Sequence, residues 1–379
     1  MTADLVIVGA GIVGASCVYA AARAGLRTVV IDRAGVVAGT TGAGEGNILV
    51  SDKEPGPELD LDLWSNQIWR DWAAEIGAGT IELEPKGGLV VAAADDGLDA
   101  LSAFAAKQAA SGVRAEPVPA AALHGYEPHL APGLPGGIYY PEDMQVQPML
   151  AAAHLLRAAQ RLGAQVRRGT EFFGLAVRNG RVTAARTSGG DVATGHVLNA
   201  AGVWGGEVAR RMGAPVPVLP RRGFILVTEP LPGYIRHKVY TADYVANVAS
   251  SDEGLQTSTV VEGTRSGTVL IGASRERTGF DRTLSVPALR RLAAQASALF
   301  PVLSRVRLIR AYCGFRPYCP DHLPVIGADP RAEGVLHACG HEGAGIGLAP
   351  ATAAMIADLL TGAASLVSPA PFSPARFAA

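Results

Sequence analysis

Three glycines, Gly9, Gly11 and Gly14, stand in the spacing GxGxxG, and a carboxylate, Asp32, follows them by about one helix and one strand. In that pattern the first glycine permits a tight turn, the second lets a pyrophosphate approach the backbone, and the third lets a helix pack closely on a strand. N–H groups at the helix start bind phosphate with help from the helix dipole. A carboxylate at the tip of the next strand accepts hydrogen bonds from a ribose hydroxyl pair. The chemistry is dinucleotide binding, and the fingerprint alone does not choose between FAD and NAD.

Local elements must hold these groups in place. Leu5 to Val8 is a short β-branched run that reads as a strand. Gly9 to Gly14 reads as a turn, Ala15 to Ala24 as a helix ended by Gly25, and Thr28 to Ile31 as a second strand ending at Asp32. The unit is βαβ, so its strands are parallel. The apolar run from Leu5 to Ala22 is long enough to imitate a membrane span or a signal peptide. Its glycines and the opening MTAD, which lacks a basic n-region, argue against both. We expect no transmembrane segment and a cytoplasmic location.

The chain has 379 residues, 49% of them hydrophobic, enough for about two domains with buried cores. A formal charge of −1 with scattered ionic residues shows no footprint for nucleic acid or acidic lipid. Cys17, Cys313, Cys319 and Cys339 have no CxxC spacing, so no metal site is expected; a Cys313–Cys319 bridge stays open.

Four further stretches bear on the choice of dinucleotide. GTTGAGEGNI (39–48) puts small residues and the hydroxyls of Thr40 and Thr41 where backbone can approach a planar ligand. HVLNAAGVWGGEVA (196–209) reads as strand, turn and helix, and GFRPYCPDHLPVIG (314–327) as a proline-stiffened loop. ACGHEGAGIGLAPATAAMIADLL (338–360) reads as a second glycine turn opening a long helix. Glycine turns near both ends of the chain suit one long cofactor, FAD.

GAGIVG with Asp32, NAAGVWG, GTVLIGASRERTGF, GFRP followed by PDHLPVIG, and GHEGAGIGLAP run in this order along the whole chain. In this the sequence resembles the D-amino acid oxidase family of flavoproteins, which holds glycine oxidase, sarcosine oxidase, D-amino acid dehydrogenase and the β-subunits of opine oxidase and hydroxyproline dehydrogenase. The resemblance implies an α/β fold. It has a Rossmann-like FAD-binding domain assembled from separated segments (1–80, 145–219 and 317–379) and an α+β substrate domain (81–144 and 220–316) with a large mixed sheet. It also implies that Gly9, Gly11, Gly14 and Asp32 hold the ADP half, with Arg33 beside it, and that Phe172, in the strand after the 148–163 helix, lends backbone to the adenine. Ala201, Gly202 and Trp204 would line the middle of the cofactor, and Thr40, Thr41, Gly46 and Asn47 would approach the ribityl chain and ring. Gly343, Ala344, Gly345, Ile346 and Gly347 would direct amides toward the ring edge where reduction places negative charge.

The same resemblance assigns a substrate carboxylate to Arg316, whose planar fork suits it, with a structural ion pair as the alternative reading. It places Tyr240 and Tyr244 over the substrate, where core packing is the other outcome. Glu45 stands where many members carry a small or neutral residue, and faces either the substrate amine or solvent. His341 belongs to the cofactor shell or carries a proton. Arg221 and Arg222 begin a strand where one could meet substrate or flavin, or both could be exposed. Gln147 marks a domain crossover, and the final SPAPFSPARFAA reads as a loosely held tail. No histidine precedes His124, and Gly314 occupies the position at which some relatives carry a flavin-linking cysteine, so non-covalent FAD is expected.

The implied reaction is hydride transfer from the carbon of a C–N bond in an amino acid or secondary amine to flavin N5, leaving an imine that water hydrolyses. Two alternatives remain at this point. One is a β-subunit that passes electrons to a partner within a hetero-oligomer, and the other is an NAD-linked dehydrogenase; a homo-oligomer is equally open.

Overall fold

The computed structural model describes residues 2–248 and 250–378. Its first sheet has six strands in the order Val325–Ala328, Val335–Cys339, Val197–Asn199, Leu5–Val8, Thr28–Asp32 and Gln165–Arg168. All neighbours are parallel except Val325–Ala328, which runs antiparallel to Val335–Cys339. Strand alternation divides the apolar runs between two faces. Leu5, Ile7 and Val30 pack with the helices Ile12–Arg23, Pro148–Arg161 and Ala349–Thr361, whereas Val6, Val8, Val29 and Ile31 pack with Phe172, Val182 and Val208 on the opposite face. Because both faces are covered, the strands read as unbroken apolar stretches.

The second sheet has eight strands, in the order Leu308–Tyr318, Leu219–Thr228, Val269–Arg275, Gln256–Gly263, Lys238–Thr241, Gly88–Val91, Gly136–Tyr140 and Glu116–Pro119. It is mixed, with Lys238–Thr241 parallel to Gly88–Val91 and the remaining pairs antiparallel. Helix Val286–Leu299 covers one face through Leu292, Ala296 and Leu299, which pack with Phe224, Leu226 and Ile271. This mixed α/β architecture is the one expected.

Several local expectations need correction. The first helix starts at Ile12, so Gly14 lies in its opening turn and not in the loop. A Cβ there would lie 1.9 Å from the Gly9 carbonyl oxygen, so the helix can lean on the strand only because Gly14 has no side chain. Phe172 begins the second strand after helix Pro148–Arg161; the first is Gln165–Arg168. GFRPY is not loop but the end of strand Leu308–Tyr318, where Pro317 faces Pro220. This strand lies at the sheet edge, where a residue without an N–H is tolerated.

Gln147 caps helix Pro148–Arg161, its Oε1 accepting from the Met149 N–H at 2.8 Å. The tail is held: Phe372 is fully buried and Arg376 donates to Asp321 at 2.6 Å. All four cysteines are free, so Cys313 and Cys319 form no bridge. Among the described residues no helix is long and apolar enough to cross a membrane, and no cluster suits a metal ion.

Candidate active site

Between the two sheets lies a cavity of about 380 Å³. At one end the chain leaves strand Leu5–Val8 through Gly9, whose φ of +114° disfavours any side chain, and enters helix Ile12–Arg23 past Gly11. Gly9 and Gly11 line the cavity, whereas Gly14 serves the helix–strand contact. Asp32 lines it too, accepting from the Ala10 and Ala34 N–H groups at 2.8 Å each, which fixes the carboxylate beside the glycine turn. Arg33 lays its guanidinium 4.5 Å from the Trp204 ring centroid, and Phe172, Ala201 and Gly202 complete that end.

The middle is set by the 3₁₀ turn Thr40–Ala43. Thr41 Oγ1 accepts from the Ile12 N–H at 3.0 Å, and Thr40 Oγ1 donates to the Phe315 carbonyl at 2.7 Å. These two hydroxyls tie the first helix to the long edge strand of the second sheet. His341, Gly343, Gly345 and Ile346 line the cavity in the turn before helix Ala349–Thr361; Ala344 and Gly347 stand outside the lining. The last helix thus begins at Ala349, after the glycines. The Ala344 carbonyl accepts from Leu348 N–H at 3.0 Å, and the Gly347 carbonyl accepts from Ser65 Oγ. His341 Nε2 lies 3.0 Å from Thr352 Oγ1, and burial pushes its imidazole down to about 3, so the ring is neutral.

At the far end Arg316, Glu45, Asn47 and Tyr244 come together. Arg316 Nη1 donates to the Ser274 carbonyl at 2.8 Å, and among the described residues no carboxylate forms an ion pair with it, which removes the structural-ion-pair reading. Glu45 is not solvated. It is 6% exposed, and burial raises its pKa, opposed by Lys238 and aided by Glu262. Its Oε2 receives the Asn47 Nδ2 at 3.3 Å and lies 3.8 Å from Lys238 Nζ, while Oε1 has no hydrogen-bond partner among the described residues. Gly46 is outside the lining; its N–H donates to Glu262 at 3.2 Å.

Tyr244 lines the cavity, but Tyr240 does not. Tyr240 is fully buried among Val90, Ile138 and Val260, and its hydroxyl donates to Ser51 Oγ. Arg221 and Arg222 are buried, not exposed, and point to opposite faces of their strand. Sequence reasoning missed Glu342, which lines the cavity at a φ of 46° and lies within GHEGAG, and Arg275, which lies within GASRERTGF. Both were in view as motif letters; sheet register shows which way Arg275 faces, and the turn that donates the Glu342 N–H to the Pro317 carbonyl at 3.0 Å places Glu342.

A groove with an unobstructed glycine turn and a fixed carboxylate at one end, and buried polar atoms without hydrogen-bond partners among the described residues (Asn47 Oδ1 and Glu45 Oε1) at the other, fits a long dinucleotide with a polar ring system. Residues 4–359 match the family model of FAD-dependent oxidoreductases. The chain belongs to this family. The match decides between the two dinucleotides: the cofactor is FAD, and the protein is an FAD-dependent oxidoreductase. Glycine oxidase of Pseudomonas putida is 29% identical over 99% of both chains, and the bifunctional protein ThiO/ThiG of Nostoc sp. is 30% identical over 95% of this chain and 53% of its own. Among solved structures, glycine oxidase from Geobacillus kaustophilus superposes with a TM-score of 0.88 at 26% identity, covering 98% of each chain. The L-proline dehydrogenase from P. horikoshii shares the fold, with a TM-score of 0.91 at 22% identity over 100% of this chain and 98% of that one.

Proposed function

We propose that the protein oxidises the C–N bond of an amino acid or secondary amine to an imine, which water then hydrolyses. The observation that carries this reading is the presence of Arg316, a half-buried cation, and Glu45, a buried carboxylate, on the wall of the cavity that begins at the dinucleotide turn. A zwitterionic substrate matches that pair. The Arg316 fork takes the carboxylate and orients the molecule. The Glu45 carboxylate, its pKa raised above the ordinary range by burial, accepts the proton that leaves the ammonium nitrogen, so the amine reaches its reactive neutral form inside the pocket. Tyr244 closes the apolar side and helps exclude water.

Bound FAD supplies the acceptor for the hydride and its two electrons. Gly9 and Gly11 give its pyrophosphate room, Asp32 takes the ribose hydroxyls, and His341 stays neutral beside the turn at Gly343. We infer that it is held without a covalent bond, since Cys313 is outside this cavity and no histidine occurs in the loop after strand Thr28–Asp32. Homologues named for glycine oxidase support the amino acid substrate class.

Mixing purified holoprotein anaerobically with a panel of D- and L-amino acids, N-alkyl amino acids and proline derivatives tests the reading, with bleaching of the flavin as the readout. At least one of them bleaches it; the reading fails if none does while a 2-hydroxy acid or polyol succeeds. Repeating the active substrates in air and measuring hydrogen peroxide separates an oxidase from a dehydrogenase that needs a partner.

A further inference from the structure

Arg221 and Arg316 sit directly opposite each other on the antiparallel strands Leu219–Thr228 and Leu308–Tyr318, so their side chains share one face of the sheet. Arg222 pairs across the neighbouring strand with Glu276. Alternation then sends Arg275 and Arg277, on either side of Glu276, to the face that holds Arg221 and Arg316. Ring contacts agree: Arg275 lies 5.1 Å from the Tyr244 centroid, and Arg221 and Arg277 lie 5.4 and 4.9 Å from the Tyr318 centroid. Four guanidinium groups therefore crowd one face.

The two faces are neutralised very differently. On the far face Arg222 is fully paired, donating to Glu276 at 2.9 Å and to Asp281 at 2.6 Å. On the near face the acidic partners among the described residues are Glu342, 3.5 Å from Arg221, and the exposed Glu253, 2.9 Å from Arg277. Glu342 is also shared with His322 at 3.2 Å. Arg275, 4% exposed, has no ion pair or hydrogen bond among the described residues, and Arg221, 1% exposed, leaves its Nε and Nη1 without hydrogen-bond partners. Burial, and then the charges of Arg316 and Arg221, pull Arg275 down to about 10 even with Tyr244 and Glu342 opposing. Glu45 and Glu262 share the single ammonium of Lys238, and the negative charge left over acts on Arg316; among the described residues neither carboxylate pairs with Arg275 or Arg221.

Buried like charges without counterions are costly unless an anion joins them. Arg275 and Arg221 do not line the cavity themselves, but each touches a residue that does, Tyr244 and Glu342 respectively. They therefore extend the positive field of Arg316 past a single carboxylate. We propose that the substrate is a dicarboxylic amine, with one carboxylate on Arg316 and the second drawn to Arg275 and Arg221. Both an amino acid with an acidic side chain and an amine bearing two carboxyalkyl arms carry this chemistry. The inference rests on the amine-oxidation reading of the same site and names its substrate class.

Binding and turnover test it separately. Succinate and glutarate, against propionate and butyrate, are titrated into FAD-loaded protein, read by the change in the flavin visible spectrum and by thermal shift. The dicarboxylates bind at least roughly tenfold tighter. Arg275→Gln abolishes that ratio, and Arg275→Lys and Arg221→Lys retain part of it. Equal affinities, or a ratio unchanged in folded, FAD-loaded Arg275→Gln, overturn the proposal. In anaerobic flavin reduction the kcat/KM of acidic amino acids and iminodicarboxylates exceeds that of glycine and sarcosine. A reversed order overturns the dicarboxylic substrate and leaves amine oxidation standing. No flavin reduction by any amine, with the binding ratio present and sensitive to Arg275→Gln, supports the anion subsite and overturns the oxidation reading instead.

Discussion

Glu45 and Tyr240 show how one pattern of residue types yields opposite roles once burial is known. Glu45 is buried beside Lys238 and Glu262 and lines the cavity, so its carboxylate is placed to take a proton there. Its raised pKa means that it is protonated, and useless as an acceptor, over an acid range wider than that of a free glutamate, whose pKa is about 4.3. Flavin reduction should therefore fall on the acid side through that raised value. Glu45→Gln removes the acceptor: the rate near neutral pH drops by about 10²-fold, and what remains rises toward alkaline pH with the free amine's own ionisation. Stopped-flow reduction across pH checks this, and an unchanged profile rules the role out. Tyr240 is the contrary case, because its hydroxyl serves Ser51 and not the cavity. Tyr240→Phe costs about 1 kcal/mol in urea unfolding and leaves kcat/KM at the wild-type value.

At the scale of elements, the glycine turn separates packing from binding. Gly14 faces the Gly9 carbonyl, where a Cβ would sit at 1.9 Å, and backbone on both sides cannot yield. Gly14→Ala should exceed the roughly 1–3 kcal/mol of ordinary overpacking and reduce soluble yield with or without FAD. A Cβ on Gly11 meets just Thr41 Oγ1, at 3.0 Å, a side chain able to shift. Gly11→Ala should fold with a near-normal apo melting temperature yet lose about tenfold or more in FAD affinity, since its methyl occupies the phosphate approach. Flavin fluorescence titration beside apo melting distinguishes the two.

The βαβ unit was legible because its signals are local: a β-branched run, a glycine spacing and a carboxylate one strand later. What stayed hidden depended on partners distant in sequence. The GFRP stretch looked like loop because Pro317 forbids a central strand, and only the sheet order shows an edge. The tail looked loose because Phe372 and Arg376 find their pocket and their partner Asp321 through tertiary packing. Arg275 was read as a letter in a motif, since a strand's facing is fixed by its register and not by its composition, and so was Glu342, whose turn is placed by a hydrogen bond to the distant Pro317 carbonyl.

For the molecule as a whole, the cavity lies between two sheets whose cores meet where Val203 and Trp204, just after strand Val197–Asn199, pack with Phe315 of the eight-stranded sheet. Its glycine end belongs to the six-stranded sheet, and Gly223, Ile225 and Arg316 belong to the eight-stranded one. Thr40 and Thr41 already link the two across this seam. A cofactor that touches both walls binds the assembled form and not a form in which either sheet has opened, so its binding energy is shared by both. Free FAD at a hundredfold excess over its Kd should add about 2.7 kcal/mol and raise the apo midpoint by a few degrees in a single transition. Hydrogen exchange locates the effect: amides of Val6–Val8 and of Phe224–Leu226 should gain protection together when FAD is added to apoprotein. Protection confined to the six-stranded sheet would mean that the eight-stranded sheet does not sense the cofactor, and that the Arg316 wall forms independently of the dinucleotide turn.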